Sequence, residues 1–246
     1  MLGRMTDPTA TVLVEDLTPP GHERPAYLVR PQDPDAVRAA VLWLHWLGDE
    51  RSDRSQYLAE AVEMAGLGCV SLLPEGHFPW HVRPEGTLAD RRAVGDQLLR
   101  VGTALRALVA VAGVDADRVG VVGHDYGAMY TLAGRGFGAR AVVAITPDVR
   151  WEDWFLTYWR HAGPSAGYAA SFDDVDPLRG AAACQDRLLL QWAQHDEYVR
   201  PEVARSYAAA APRAWAVGYR DRDHRLGGST SRERRAFLVE RLGLDG

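Results

Sequence analysis

Asp125 lies at the apex of a strand–turn–helix pattern in the middle of the chain. Residues 119–128 read Val-Gly-Val-Val-Gly-His-Asp-Tyr-Gly-Ala, an apolar strand that runs into a turn flanked by Gly123 and Gly127. A carboxylate held at such a turn is suited to displacing a leaving group from carbon, which forms an ester between substrate and enzyme. A serine in the same place would instead be acylated by an ester substrate. The side chain at position 125 therefore limits the chemistry that the site can perform.

Two more polar residues follow predicted strands and are expected to act with Asp125. Asp196 comes after the apolar run 188–192, and His224 comes after the last predicted strand. Because ligands of open α/β sheets bind at the carboxyl ends of the strands, we expect the three side chains at one edge of the sheet. A histidine oriented by a carboxylate acts as a general base toward water.

The partner of His224 is open to alternatives on sequence grounds. Asp196 could serve only as a cap of the turn that follows it. The other carboxylates that could then orient the histidine are Asp148, Asp221 and Asp223.

Strands and helices alternate through most of the chain. The predicted strands are 11–17, 26–30, 39–45, 68–73, 118–122, 141–145, 187–192 and 214–219, and the predicted helices are 56–65, 87–112, 128–133, 202–210 and 231–242. The first two strands, separated by Pro-Pro-Gly, are consistent with an antiparallel hairpin, whereas continuous apolar runs such as 39–45 are typical of buried parallel strands. The predicted fold class is α/β, with a mostly parallel, doubly wound sheet of about eight strands and helices on both faces.

The segment 147–187 breaks this alternation and carries a cluster of aromatic residues. Spacings of three and four put several of them on one helical face. The cluster consists of Trp151, Trp154, Phe155, Tyr158 and Trp159. Such a helix docks on the sheet edge, or it forms a small lid with an aromatic wall over the site. The two arrangements are compatible if one side of the helix faces the sheet and the other faces the site. We expect one domain over 1–246.

The composition limits the classes of partner. The 246 residues are 47% hydrophobic and carry a net charge of -5, which gives no electrostatic footprint for nucleic acid or an anionic membrane. Residues 1–11 lack the apolar core of a signal peptide, and no stretch approaches the ~18 uninterrupted apolar residues of a membrane span. We expect a cytoplasmic protein that acts on a small molecule, without nucleic acid, membrane or cofactor; a homodimer is compatible with the sequence. Cys69 and Cys184 are expected to be buried and reduced.

The order nucleophile, acid, histidine along the chain resembles that of the α/β-hydrolases, and the resemblance runs from about residue 39 to the end. The length of the frame and the short insertion are similar to small dienelactone-hydrolase-like members. The turn Gly123-His124-Asp125-Tyr126-Gly127 instead resembles the nucleophile elbow of epoxide hydrolases and of haloalkane or haloacid dehalogenases. The chain departs from these families in its short cap and in Tyr126, where many dehalogenases place a tryptophan.

The resemblance implies a mechanism in two steps. Asp125 attacks an electrophilic carbon, and water activated by His224 and Asp196 then hydrolyses the resulting ester. Two backbone amides would stabilise the oxyanion, one from Tyr126 and one from the loop His45-Trp46-Leu47-Gly48, in which Trp46 replaces the family's first glycine. Leu47 is then the expected second donor. His45 is expected to hold this loop by hydrogen bonds.

A second loop, after the predicted strand 68–73, lies close to where a substrate would bind. Its histidines are solvated loop residues by default, and a zinc site formed with Glu75 is conceivable from the spacing, although no further ligand pattern supports it, so no metal is predicted. Together with the aromatic segment, the loop supplies the candidate substrate-binding residues, which are His77, Trp80, His81, Trp151, Trp154 and Tyr158.

Two other functions remain compatible with the same fold. In one, the protein cleaves esters, lactones or thioesters as a dienelactone-hydrolase-type enzyme, with Asp125 as an unusual nucleophile or as a general base that acts through water. In the other, the fold binds a small ligand in its aromatic pocket without catalysis. The presence of both Asp196 and His224 argues against the latter.

Overall fold

A single sheet of eight strands forms the centre of the computed structural model, which describes residues 12–33, 38–48, 53–159, 166–228 and 230–244. Features predicted within 1–11, among them the first residue of the opening strand, lie outside these ranges. The strands are β1 (Val12–Leu17), β2 (Ala26–Pro31), β3 (Arg38–Leu44), β4 (Val70–Leu73), β5 (Val114–His124), β6 (Ala141–Ile145), β7 (Leu188–Ala193) and β8 (Trp215–Tyr219).

The strand order is β1-β2-β4-β3-β5-β6-β7-β8. β1 pairs antiparallel with β2, and β2 pairs antiparallel with β4. Every pairing from β4 through β3 to β8 is parallel. The predicted hairpin and the predicted mostly parallel, doubly wound α/β sheet are both confirmed.

Side chains of β3 show how the sheet is covered on both faces. Ala39, Val41 and Trp43 pack into one buried cluster, in which they meet residues of helices α1 (Leu58–Gly66) and α7 (Thr230–Leu242). Alternate residues such as Leu42 point to the other face. Since successive strand residues face opposite sides, a strand segment that is buried on both faces must be apolar, as β3 is from Ala39 to Leu44.

The opposite face is covered by helices α2 (Leu88–Val109), α3 (Tyr126–Ala133), α5 (Pro177–Cys184) and α6 (Pro201–Ala210). The remaining helix, α4 (Trp151–Trp159), forms the first part of the predicted lid segment. Residues 160–165 of that segment lie outside the described ranges. None of the helices within the described ranges is long and apolar enough to cross a membrane.

Two elements differ from the sequence prediction. β5 begins at Val114, several residues earlier than expected, and α5 occupies a stretch for which no helix was predicted. Gly180 explains the second difference, because a Cβ at this position would lie 1.7 Å from the carbonyl oxygen of Leu132 in α3. α5 therefore forms where two helix backbones touch, and glycine lowers the local helix propensity that a sequence pattern reports.

Candidate active site

Asp125 occupies a strained turn between the central strand β5 and helix α3. Its φ of 55° and ψ of -120° lie in a region that residues with a side chain seldom adopt. The turn is tight enough that a Cβ at Gly123 would lie 2.2 Å from the carbonyl oxygen of Gly127, and one at Gly127 would lie 2.3 Å from that of Leu44. Only glycine fits at both flanks, so the two glycines allow the chain to lift Asp125 out of the end of the sheet.

The two carboxylate oxygens of Asp125 have different partners. Oδ2 accepts a hydrogen bond from the Leu47 N–H at 2.9 Å, and the Tyr126 N–H also donates to this carboxylate. Oδ1 lies 3.7 Å from Nε2 of His224. The Leu47 amide thus holds one oxygen of the carboxylate, and the other oxygen faces the imidazole across a gap slightly longer than a hydrogen bond.

His224 is held by Asp196 from the far side of its ring. Nδ1 donates to both carboxylate oxygens of Asp196, at 2.9 and 3.0 Å, which leaves Nε2 directed at Asp125. Asp196 is itself fixed by the N–H groups of Tyr198 and Val199, at 2.9 and 2.8 Å. The structure therefore brings the three predicted catalytic residues together in one line of side chains.

The other carboxylates considered for this role have different contacts. Asp148 accepts from the backbone N–H of Val149 at 2.6 Å, in the turn that precedes α4. Asp223 is exposed and accepts from the N–H of Arg225 at 3.2 Å. Asp221 is likewise exposed.

Burial and charge shift the ionisation of the central pair. Burial raises the pKa of the Asp125 carboxyl, although His224 and the amides of Leu47 and Tyr126 act in the opposite direction. For His224, burial lowers the pKa, but the carboxylates of Asp125 and Asp196 outweigh it and raise the pKa to about 9. At neutral pH the histidine is therefore an imidazolium between two carboxylates.

The peptide group that joins Trp46 to Leu47 is held at both ends. Its N–H donates to Asp125, and its carbonyl oxygen accepts from His45 Nδ1 at 2.9 Å and from Trp80 Nε1 at 2.8 Å. His45 Nε2 accepts from the Gly76 N–H at 2.9 Å, so the ring proton lies on Nδ1. Because hydrogen bonds to a carbonyl polarise its peptide group, the two donors strengthen the Leu47 N–H as a donor. His45 holds the loop as expected.

Trp46 was predicted as an oxyanion-hole residue through its place in this loop, but its own N–H does not contribute a donor there. Its N–H donates to Oε1 of Gln56 at 2.8 Å and is used there rather than at Asp125. The indole ring instead lies nearly parallel to the rings of His124 and His224, at centroid distances of 5.2 and 6.1 Å. Trp46 therefore contributes a wall to the site.

An aromatic cavity of about 370 Å³ opens onto Asp125 and His224. Its volume suits a small organic molecule. The described residues that line it are Trp46, Leu47, Gly48, Asp125, Tyr126, Trp154, Tyr158, Trp159, Glu197, Tyr198, His224 and Arg225. Trp154 and Tyr158 of α4 are thus where the lid hypothesis put them, on the cavity wall.

Two of the aromatic residues predicted to bind substrate lie behind this wall. Trp80 uses its indole N–H on the Trp46 carbonyl and packs against His45, with ring centroids 4.9 Å apart. Trp151 is 1% exposed and donates its indole N–H to the Val175 carbonyl at 3.0 Å. Both are committed to internal hydrogen bonds, so neither forms part of the described cavity lining, which corrects the prediction.

The two predicted histidines also lie outside the described cavity lining. Nδ1 of His77 is 3.4 Å from Glu23, and Nε2 of His81 is 3.5 Å from Glu75. The two side chains thus approach different carboxylates and do not converge with Glu75 on one point. Both histidines thus approach carboxylates outside the cavity lining. The sequence of the loop did not indicate these contacts.

Five residues of the described cavity lining were absent from the predicted site residues: Gly48, Trp159, Glu197, Tyr198 and Arg225. Trp159 follows Tyr158 in the aromatic cluster of α4, so the spacing of that cluster could have included it among the predicted site residues. Glu197 and Tyr198 directly follow Asp196, and Arg225 follows His224. Proximity in sequence to the two predicted catalytic residues was the usable signal.

The tyrosine that follows Asp125 has an unusual environment. Tyr126 is 2% exposed, lines the cavity and packs edge-on against Trp154 at a centroid distance of 4.8 Å. Its hydroxyl has no hydrogen-bond partner among the described residues. A buried hydroxyl without a hydrogen-bond partner costs free energy. A polar substrate atom at this end of the cavity would therefore be stabilised by a hydrogen bond to the Tyr126 hydroxyl.

The comparisons with known proteins identify the fold. No protein-family model matches the sequence, and no curated protein matches it. Among solved structures, dipeptidyl peptidase 4 of Porphyromonas gingivalis superposes with a TM-score of 0.66 at 20% identity, over 94% of this chain but only 35% of the peptidase. A thermophilic esterase of Thermogutta terrifontis with bound propionate gives a TM-score of 0.67 at 18% identity, over 96% of both chains.

A third similar structure is a Klebsiella pneumoniae protein assigned as a dienelactone hydrolase, with a TM-score of 0.65 at 16% identity. It covers 95% of this chain and 99% of its own. The chain thus spans about a third of the peptidase but almost the full length of the other two proteins. With its sheet order, elbow and site geometry, the protein has the α/β-hydrolase fold.

Proposed function

We propose that the protein is a hydrolase in which Asp125 attacks an sp³ carbon of a small epoxide or halogenated substrate. Oδ1 forms a bond to that carbon and displaces the epoxide oxygen or the halide, which gives an ester on Asp125. Water activated by His224 then attacks the carboxyl carbon of this ester. The alcohol or diol leaves, the carboxylate is restored, and Asp196 holds the imidazole throughout.

The observation that carries the proposal is the use of the amide donors by Asp125 itself. In the hydrolysis of an ester substrate, such donors bind the oxyanion that forms on the substrate. Here the amides of Leu47 and Tyr126 already donate to the nucleophile's own carboxylate. They are therefore arranged to stabilise the charge that develops on Oδ2 when water attacks the Asp125 ester.

The charges of the site change in the order that this reaction needs. The imidazolium of His224 can give its proton to the alkoxide released from an epoxide, or to solvent when halide leaves. Alkylation removes the negative charge of Asp125, so the pKa of His224 falls from about 9 because only Asp196 still stabilises the cation. His224 thus becomes a base at the step that requires one.

The first test follows oxygen through a single turnover. Enzyme in excess over styrene oxide, in water enriched with oxygen-18, is expected to release unlabelled diol, because the new oxygen comes from Asp125. The label then enters the Asp125 carboxylate, where peptide mass spectrometry finds it. Diol that carries the label in the first turnover would mean direct attack by water and would contradict the proposal.

The second test traps the ester. In His224→Gln the second step is expected to slow strongly, so intact mass spectrometry of protein incubated with an epoxide shows an increase equal to the whole epoxide. A haloalkane adds its alkyl group only. Asp125→Asn is the matched control and is expected to show no adduct with either compound.

Ester hydrolysis is a second candidate, supported by the esterase among the similar structures. Attack of a carboxylate on an ester would give a high-energy anhydride, so this reaction requires direct activation of water by His224. Turnover of p-nitrophenyl propionate that survives in Asp125→Ser, without a covalent adduct in His224→Gln, would support it over the first candidate.

A further inference from the structure

A chain of three hydrogen bonds joins the loop after β3 to the loop after β8. The N–H of Trp46 donates to Oε1 of Gln56 at 2.8 Å, and Nε2 of Gln56 lies 2.7 Å from Nδ1 of His124. Nε2 of His124 in turn lies 2.9 Å from the carbonyl oxygen of His224. The chain therefore connects the loop that carries the Leu47 amide with the residue proposed as the base.

The direction of these hydrogen bonds is fixed by Gln56. Its oxygen is used by the Trp46 N–H, so its amide group faces His124 and must donate. Nδ1 of His124 is then the acceptor, and the ring proton lies on Nε2, where it donates to the His224 carbonyl. Burial lowers the pKa of His124 well below the usual value, and the nearby His224 acts in the same direction, so the ring stays neutral.

Ring packing links the same groups a second time. Trp46 lies over His124 and His224 together, and the two histidine rings are 5.4 Å apart. His124 is 1% exposed and directly precedes Asp125 in the elbow. It has no part in the proposed chemical steps, yet it contacts both loops that those steps use.

We propose that Gln56 and His124 are positioning residues. They hold the loop after β3, which carries the Leu47 amide, and the loop after β8, which carries His224, at fixed distances from the Asp125 carboxylate. Without them, the Leu47 amide and Nε2 of His224 could not both keep their places on the two sides of one carboxyl group. The proposal rests on the proposed function only for its kinetic readout. The positions and proton states can be measured without any substrate.

The first experiment reads the imidazole nitrogens by ¹⁵N NMR in the ligand-free protein. His124 in the wild type is expected to carry a proton on Nε2 alone, with no change between about pH 5 and 9. In Gln56→Glu the carboxylate cannot donate, so Nδ1 must bind a proton while Nε2 keeps its own, and His124 becomes an imidazolium. A residue that only fills space would not produce this change.

The second experiment removes the hydrogen bonds and keeps the volume. In Gln56→Met the loops are free to shift, so the pKa of His224 is expected to fall from about 9 as its contact with Asp125 lengthens. With a substrate that the wild type turns over, kcat is expected to fall by about 10- to 100-fold with little change in KM, as for a displaced catalytic group.

Gln191→Met is the matched control. Gln191 is a buried glutamine whose side chain bonds to Tyr219, Thr230 and Arg234, none of which belongs to the chain of three hydrogen bonds. Its replacement is expected to lower the melting temperature while the proton on His124 and the titration of His224 stay as in the wild type.

Each outcome decides the proposal. A proton on Nδ1 of His124 in the wild type, or an unchanged His224 titration in Gln56→Met, would overturn it. If the NMR results are as expected and neither epoxides nor halides are turned over, the positioning role stands and the proposed reaction fails.

Discussion

At the scale of single residues, the Asp125 carboxylate is divided between two tasks. Oδ2 accepts from the backbone amide of Leu47, and Oδ1 faces His224 at 3.7 Å. A serine at the same apex would have one oxygen and could not use both sets of partners. The aspartate therefore fits this site for a reason that goes beyond its nucleophilicity.

The first prediction concerns the proton on His224. Asp125→Asn removes one of the two carboxylates that raise its pKa to about 9, so the pKa is expected to fall below that value in an NMR titration of the imidazole. Asp223→Asn is the control, because that exposed carboxylate neighbours His224 in sequence but bonds to the Arg225 N–H. Equal pKa values in wild type and Asp125→Asn would contradict the assigned charges.

The second prediction concerns the carbonyl of Trp46. Trp80→Phe keeps an aromatic ring but removes one of the two donors to that carbonyl, so the Leu47 N–H becomes a weaker donor. Its amide proton resonance is expected to move upfield.

Trp43→Phe serves as the control for this change. It also removes a buried indole hydrogen bond, to Ser71 at 3.0 Å, but away from the site, and should leave the Leu47 resonance in place. If both variants shift it alike, the effect is general loosening of the fold.

The order of residues along the chain indicated which side chains meet, but not how they are supported. Asp125, Asp196 and His224 each follow a strand, so the sheet topology alone predicted their proximity. Gln56 and Trp80 are different, since each acts through a contact with a residue 68 or 34 positions away. Such contacts depend on side-chain directions in loops, which no periodic pattern specifies.

At the scale of elements, helix α4 forms part of the cavity wall and is anchored by Asp148. This carboxylate accepts from the N–H groups of Val149 and Arg150 and from Trp154, which itself lies on the wall. Burial is the largest influence on Asp148 and raises its pKa to about 6. The turn before α4 therefore holds a carboxyl group that stays protonated to a higher pH than an ordinary aspartate.

The third prediction follows from that shift. Because the folded pKa of Asp148 lies above the ordinary value of 3.8, its contribution to stability is complete below about pH 4 and is lost as the pH rises through about 6. Asn cannot ionise, so the melting temperature of Asp148→Asn relative to wild type is expected to be higher at pH 7.5 than at pH 4.5. Asp173→Asn, at an exposed site, should show no such trend.

Helices α4 and α5 show which helices the sequence pattern could predict and which it could not. The aromatic spacing of α4 is strongly periodic, and it predicted a helical face beside the site. α5 was missed because its alanine-rich stretch has no clear apolar face and contains a glycine. Gly180 is required there by the close contact of its backbone with Leu132. Tertiary contact, rather than local preference, decides that segment.

At the scale of the whole molecule, two ion pairs join α1 to α7 across 170 residues of sequence. Arg234, with a side chain 4% exposed, binds Glu60 at 2.5 Å. Arg235, the next residue of α7, binds Glu63 of α1, and both of these side chains are more than 40% exposed. The two pairs have the same chemistry and the same helices but very different contact with water.

The fourth prediction uses this contrast. Glu60→Gln leaves the buried charge of Arg234 without its counter-ion and is expected to lower the free energy of unfolding by about 3 kcal/mol. Glu63→Gln is expected to cost less than about 1 kcal/mol, because its pair is solvated. Chemical denaturation of both variants measures the difference, and equal losses would contradict the assigned role of burial.

The strand positions of the site residues have a consequence for how the protein would fail under mild stress. Asp125 leaves β5, which has a neighbour on each side, whereas His224 follows β8, the outermost strand of the sheet, and Asp196 follows the adjoining β7. Edges open locally before centres do. Under the proposed reaction, a protein warmed slightly would lose the contact of His224 with Asp125 while Asp125 still reacts. Substrate that reacts during such an opening would leave the molecule blocked until the edge closes again. Inactivation would then proceed faster with substrate present than without it, the reverse of the protection that ligands usually give.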